Sequence, residues 1–600
     1  MNQANEPHLM IKASFLQTAA PAAISRFIGR ILLPAAVLAC APASGAFARE
    51  VVAVASPFEV GGSPSGNYLA ALVAGAERDT AAAATFFRET LRSDPRNPEL
   101  IERTFVASLS NGDFEQALDL ARRLASFDPK NGLAHLVLGV GQLKDGHWIA
   151  ARREFSTGGA GRESDITATL LSAWSYAGQG DEKRALATID GLRDGGFGVF
   201  RDYHAALIAD LLNDFPEATK RFKTAYAADK TILRLVDAYA RFESRHGAAV
   251  EAERALTAFQ AVTPHHPLVD ATLAELKTGK PLQPLIRTAQ EGAAEVLYGL
   301  GAAGGRQGDE LAAMIYLRLS LQLAPQNSLA VITLADLYGR LKQNEQAIDV
   351  YGRVPDASPL RDNADVQTGL TLDVLGKPDD AIKYLKTIIA DRPKNTDALT
   401  TLGNIQREQK AFGDAIKTYT DAMATLNPSD RSTWGLLYFR AISYERNKQW
   451  PEAEADFKRA LELYPDQPLV LNYLGYSWVD RGVHLDDAFK MLRQAVALRP
   501  EDGYIVDSLG WAHFKLGEYD EAVKELERAI ALKPSDPTVN DHLGDAYWRV
   551  GRKLEAQFQW NHARDLKPDP EDLPAIVEKI GKGLPDLKPA TTAADGKTSD

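Results

Sequence analysis

The chain has 600 residues, of which 45% are hydrophobic and 25% charged, the balance of a folded protein rather than a disordered or collagen-like one. Lys and Arg number 68 against 80 Asp and Glu, a net charge of -12, so the overall field repels a phosphate backbone and no Lys/Arg block offsets it. The single cysteine, Cys40, excludes an internal disulfide and a cysteine-type zinc site.

The first predicted element is an address. Residues 1–30 carry Lys12, Arg26 and Arg30 against one acid, Glu6. The nine-residue apolar run from Ile31 to Ala39 is shorter than the roughly 20 residues a membrane-spanning helix needs. It fits the core of a secretory signal, and Ala46-Phe47-Ala48 supplies an A-x-A cleavage pattern, so residues 1–48 are predicted to be a signal peptide with Arg49 the first mature residue. Val37-Leu38-Ala39-Cys40 offers a second outcome, because it resembles a lipobox whose cysteine is lipidated. Loss of residues 1–48 leaves 552 residues with net charge -14 and no thiol, which suits a Gram-negative periplasm. No other stretch reaches 18 uninterrupted apolar residues, so no transmembrane helix is predicted further on.

After an N-terminal extension at 49–63, small residues recur with a period near 34. Ala83, Ala117, Ala151, Ala185, Ala218 and Ala252 are spaced by 34, with one step of 33. Prolines close several of these units, among them Pro95, Pro129 and Pro264. A step of 61 then leads to Ala313 across Pro-His-His-Pro at 264–267 and Gly-Lys-Pro-Leu-Gln-Pro at 279–284, a breaker-rich joint over 264–284. The period resumes at Ala313, Ala347, Ala381 and Ala415, with Pro325 and Pro393 closing units. It lengthens to 38 before Ala453, around Asn427-Pro428-Ser429. Pro465 closes that unit, and Ala488, Ala522 and Ala556 end the series. In these last three units Leu474-Gly475, Leu509-Gly510 and Leu543-Gly544 precede the alanine, and Leu492, Leu526 and Trp560 follow it by four residues. Ala495, Ala529 and Ala563 share that face, and Pro500, Pro534 and Pro568 end the helix. The glycine of the first helix and the alanine of the second let the two approach closely, which offsets glycine's helix penalty of about 1 kcal/mol.

This pattern resembles the tetratricopeptide repeat (TPR). The resemblance implies an all-α, right-handed α-solenoid of about fourteen helix-turn-helix repeats over roughly residues 64–569. The predicted organisation is an N-terminal array at 64–263, the joint, a C-terminal array at 285–569, a capping helix at 570–587 and a disordered polar tail at 588–600. A curved array offers an extended concave surface. In TPR proteins that surface is lined mainly by positions 2, 5, 9 and 12 of the first helix, counting the glycine as 8. Transferred here, the rule points to Tyr438, Asn472, Tyr476, Tyr504, Asp507, Trp511, Lys515, Asp541, Asp545 and Trp548 as partner-binding candidates. Tyr and Trp are favoured anchors, although Tyr476 and Trp511 could equally pack between neighbouring helices. The coordinated Lys/Asn/Arg set of a carboxylate clamp is not present.

Catalytic and cofactor motifs reduce to the repeat. Gly299-Leu300-Gly301-Ala302-Ala303-Gly304 reads G-x-G-x-x-G but lacks the preceding strand, and Gly301 falls on the first-helix glycine position. His265-His266 reads as a turn, His513 as a packing residue, and the pairs Asp379-Asp380 and Asp486-Asp487 as helix N-terminal acids. There is no G-x-S-x-G elbow and no P-loop. No enzyme, cofactor or metal site is expected, and partners are expected to be proteins. A hydrolytic site built around His265 and His266 is the enzyme-class alternative, and a cytoplasmic scaffold with an uncleaved N-terminal tail is the other.

Three runs are more particular: Leu471–Trp478, Gly503–Trp511 and Asn540–Trp548. They resemble the C-terminal repeats of exported bacterial TPR proteins, some of them outer-membrane lipoproteins that act as adaptors for a carboxyl-terminal processing protease. The resemblance implies a non-enzymatic scaffold that delivers cell-wall hydrolases to such a protease. It covers residues 471–548 closely and the rest only as repeat architecture.

Overall fold

A computed structural model describes residues 61, 63–158, 166–192 and 197–585. The predicted signal peptide with Cys40, nearly all of the 49–63 extension and the 588–600 tail lie outside the described residues. Among the described residues the secondary structure is helical throughout, with no strand.

The first helices pair as α1 (Pro64–Ala76) with α2 (Thr80–Ser93), α3 (Pro98–Asn111) with α4 (Phe114–Phe127), and α5 (Gly132–Lys144) with α6 (Trp148–Thr157). Next come α7 (Ile166–Gly178) with α8 (Glu182–Asp190), α9 (Gly198–Leu211) with α10 (Phe215–Ala228), and α11 (Leu233–Arg245) with α12 (Ala249–Val262). A lone helix, α13 (Pro267–Leu276), occupies the joint. Pairing resumes with α14 (Ala289–Gln307) and α15 (Glu310–Leu323), α16 (Ser328–Arg340) and α17 (Asn344–Tyr351), then α18 (Arg361–Val374) and α19 (Pro378–Asp391). The last repeats are α20 (Thr396–Glu408) with α21 (Phe412–Met423), α22 (Trp434–Arg446) with α23 (Trp450–Leu463), and α24 (Pro468–Arg481) with α25 (Leu485–Leu498). They finish with α26 (Gly503–Lys515) and α27 (Tyr519–Leu532), α28 (Pro537–Arg549) and α29 (Lys553–Asp565), and a cap, α30 (Leu573–Lys582).

Every second helix of these fourteen pairs carries its periodic alanine toward its partner: from Ala83 to Ala556, each is at most 4% exposed. The bulky residues four later in the last three pairs, Leu492, Leu526 and Trp560, are fully buried. The turn inside each pair places a residue in the left-handed region, and the turn between α24 and α25 places two, Gly482 and His484. Nine of these are glycines, such as Gly112 and Gly551, and six are Arg78, Asn213, Lys342, Lys410, Lys448 and His484. Asn97, Asn131, Asn327, Asn395, Asp502 and Asp536 cap first helices just after the closing prolines, each accepting from a backbone N–H of the first turn.

The molecule forms two compact units, one running through Leu385 and one from Lys386 on. The division falls inside α19, not at the 264–284 joint. The physical reason lies in the first unit, where the joint turns the chain back on itself. The helices α14 and α15 pack against α3, α5, α7 and α9, which are first helices of the earlier repeats. One hydrophobic core therefore runs from Leu91 to Leu323 across both predicted arrays.

Candidate functional site

The first-helix face of the second to fifth repeats is occupied by the chain itself, through α14 and α15. Two helices make this possible by sequence. In α15 only Glu310 and Arg318 are charged, and Met314, Ile315, Leu317 and Leu319 are all buried, so it is covered on more than one side. In α14, Gly292 removes the side chain where the Trp174 ring of α7 meets the helix, and Gly299 does the same opposite Phe200 of α9.

A buried ion pair fixes α14 there. Arg234 of α11 donates from Nε and Nη2 to the two carboxylate oxygens of Glu295 at 2.9 and 2.7 Å, and the Tyr203 hydroxyl donates to the same carboxylate at 3.0 Å. Burial pushes the Glu295 carboxyl up, and the adjacent Arg234 and these hydrogen bonds more than reverse that, leaving it below its ordinary range. Beside it, Trp174 Nε1 donates to His204 Nδ1 at 3.2 Å. Burial holds the His204 imidazole at about 4, so it is neutral. Tyr338 of α16 extends the closure, accepting from Arg318 at 2.8 Å and lying 3.4 Å from Thr80 Oγ1. The expected concave surface of the N-terminal array is thus not free: its ligand is another part of the same chain.

Among the described residues the second unit has no such wedge, and it holds all ten predicted binding residues. Half of them contradict the expectation of exposed anchors. Trp511 is 8% exposed and stacks between Phe514 (ring centroids 4.7 Å apart) and His542 (3.9 Å). Asp507 is buried, with both carboxylate oxygens 3.0 Å from His542 Nδ1. Asp545 is buried and accepts from Trp560 Nε1 at 2.9 Å and from Lys579 Nζ at 2.8 Å. Asp541 accepts from Lys579 at 2.7 Å, and the backbone at Gly583 sits against the Trp548 indole. The cap α30 therefore packs on α28 through Lys579, and Asp507, Trp511 and Asp545 are engaged by His542, Phe514, Trp560 and Lys579, while Asp541 Oδ1 stays buried with no hydrogen-bond partner among the described residues.

Electrostatics in this cluster follow from burial and crowding. Burial opposes a charge on His542, but Asp507, aided by Asp541 and Asp545, carries its imidazole above the ordinary value. Burial and the neighbouring Asp541 push the Asp545 carboxyl to about 6 despite Lys579.

The remaining five stay accessible to different degrees. Tyr438 is half-buried, edge-on to Tyr473 at 6.1 Å. Tyr504 is half-buried and turned toward the inter-repeat turn, where its hydroxyl donates to Asp536 at 3.0 Å and Lys533 covers its ring at 4.7 Å. Asn472 and Tyr476 are half-buried on α24, and the Asn472 carbonyl oxygen is buried with no hydrogen-bond partner among the described residues. Lys515 is exposed, its Nζ 3.1 Å from Asp480. It stands one residue beyond position 12 of its helix, which is Phe514. Asn472, Tyr476, Asp480 and Lys515 all belong to α24 and α26, and Lys515 reaches across to α24 through Asp480.

Other sequence readings meet the structure directly. His513 is buried against Phe489, with Nδ1 2.6 Å from Glu518. His265 sits in the left-handed region of a turn and His266 caps α13. Gly301 lies mid-α14 against Leu317 and Ala313, as a first-helix glycine. Among the described residues no group of three or more His, Cys, Asp or Glu is placed to hold a metal ion, and no helix is long and apolar enough to cross a membrane. Sequence reasoning missed Glu295, Arg234, His542 and Lys579. The all-round apolar character of α15 was the one signal available for the wedge.

Sequence models of the TPR repeat and the tetratricopeptide repeat match residues 366–431, 434–467 and 510–551. The chain carries tetratricopeptide repeats. A curated relative, TPR repeat-containing protein PA4667 of Pseudomonas aeruginosa, is 26% identical over 185 residues. That match covers 30% of this chain and 29% of the relative, so it spans less than a third of the relative's length. Similar solved structures include the APC/C hetero-tetramer Cut9-Hcn1, at 14% identity and TM-score 0.37, covering 87% of this chain and 97% of that one. A tetratricopeptide repeat protein from Parabacteroides merdae has 16% identity and TM-score 0.33, covering 48% of this chain and 98% of that one. The TPR array is an α-solenoid, and its architecture is that of a protein-interaction scaffold.

Proposed function

We propose that this TPR chain is an exported, non-catalytic scaffold of the bacterial envelope that grips a partner protein on the inner face of α24 and α26. In this reading it brings a carboxyl-terminal processing protease together with cell-wall hydrolases. The observation that carries the binding surface is the contrast between the two inner faces. The first is filled by α14 and α15, whereas the second presents Asn472 with an unsatisfied buried carbonyl oxygen, a half-buried Tyr476 and an exposed Lys515. Buried acceptors are normally paired, so a donor from a bound segment is one natural partner for Asn472. Export rests on the Ala46-Phe47-Ala48 and Cys40 patterns.

The test is crosslinking in native envelopes followed by identification of partners, with the full chain and an Asn472→Ala/Lys515→Glu variant compared. Loss of the main partners by the variant, at unchanged helicity, supports the surface; an identical partner set removes it. Mass spectrometry of the mature N-terminus decides export: Arg49 or a lipidated Cys40 supports it, and an intact Met1 or Met10 defeats it.

A further inference from the structure

The second helix of each repeat turns two positions outward: those two residues before and two residues after its buried alanine. In α19, α25 and α27 they hold Asp379 and Lys383, Asp486 and Lys490, and Asp520 and Lys524, all exposed. Among the fourteen second helices only α15 and α29 place large apolar residues at both. In α15 they are Leu311 and Ile315, and both belong to the core formed where α15 packs against α3 and α5. In α29 they are Leu554 and Phe558, 78% and 69% exposed. The same register position is covered in one helix and bare in the other.

We propose that α29 is a self-association surface, and that Leu554 and Phe558 are covered by the α29 of a second copy of this chain. Charge favours that occupant. The chain carries -12, yet the charged side chains of α29, Lys553, Glu555, Arg564 and Asp565, cancel. The stripe is flanked by the neutral amides of Gln557 and Asn561, so two copies meet without like-charge repulsion. An i, i+4 pair is also self-complementary: in an antiparallel two-fold pairing, Phe558 of each copy lies against Leu554 of the other. The adjoining cap adds Leu573 and Val577, 37% and 50% exposed. Such a contact buries on the order of 1,000 Å² in total, at the low end for specific interfaces, so the association is expected to be weak and concentration-dependent.

Sedimentation velocity of the full chain over a concentration series tests this. The expected result is a shift to twice the chain mass with rising concentration, and at least about tenfold weaker association in Leu554→Glu/Phe558→Glu at an unchanged thermal melt. In a Cys40→Ser background, Gln557→Cys should crosslink to itself across the two-fold axis, and Lys524→Cys on α27 should not. A wild-type chain that stays monomeric throughout overturns the proposal, even if the stripe captures a different protein. So does a double variant that associates like wild type, or a dimer in which Gln557→Cys fails to crosslink. If the double variant misfolds, the cysteine pair alone decides.

Discussion

Gly292→Ala probes the wedge by the sign of its effect. Gly292 lies inside α14, where a Cβ would sit 2.2 Å from the nearest atom of the Trp174 ring. Carbon atoms in contact lie about 3.5–4.0 Å apart, so ring or helix must give by more than an ångström. Trp174 has little room to do so, because it is fully buried and its Nε1 is hydrogen-bonded to His204. Overpacking of this kind costs about 1–3 kcal/mol, against a helix-propensity gain of about 1 kcal/mol for replacing glycine by alanine. The net expectation is a loss of about 0–2 kcal/mol from these opposing terms. Gly339 of α16 is the control: nothing lies within 4 Å of its added Cβ, so Gly339→Ala should stabilise by about 0.5–1 kcal/mol. Urea unfolding followed by tryptophan fluorescence and circular dichroism measures both, with the two compact units fitted as separate transitions. Amide exchange over 166–178 and 289–307 localises the effect. A Gly292→Ala chain as stable as Gly339→Ala would refute the docking of α14 on α7.

Glu295→Gln leaves Arg234 buried with only Asp237, 3.9 Å from Nη1, as a counter-charge and should cost about 3–5 kcal/mol, much of it recovered by adding Arg234→Met; a single-variant cost below about 1 kcal/mol in the same unfolding assay contradicts a desolvated pair. Trp511→Ala should lower the stability of the C-terminal unit by about 3–5 kcal/mol, seen as an earlier thermal transition, because it empties the stack between Phe514 and His542. An unshifted melt would mean that the indole is not part of the packing. Two groups make this unit lose stability as pH rises. Asp545, raised from 3.8 to about 6, contributes fully below its unfolded value, and that contribution is lost as pH rises through about 6. His542, also raised, contributes fully below 6.5 and loses its contribution as pH climbs through its elevated folded value. Melting curves from pH 4 to 9 should therefore fall with pH for the parent, with the acidic part of the slope flattened in Asp545→Asn and the neutral part in His542→Gln. Unchanged slopes in both variants would contradict the assignment.

The repeats were legible because their determinants are local. A glycine in one helix, an alanine in the next and a proline at the exit act within about one period, so spacing alone locates them. The site was legible only in outline. Asp507, Trp511 and Asp545 were expected to await a partner and instead meet His542, Phe514, Trp560 and Lys579. Those contacts depend on what the next helix and the cap bring, which the position within one repeat does not encode.

By itself, the amino-acid order determined the helical period, the close approach of helices within each pair and the turns that join them, because those interactions link residues a few tens of positions apart. Tertiary structure alone decided which inner face is open. Glu295 finds Arg234 across 61 positions and Tyr338 finds Thr80 across 258, and no periodic signal reports such distant partners. An apolar stripe says only that something covers it; where α15 is concerned, the folded chain supplies the cover.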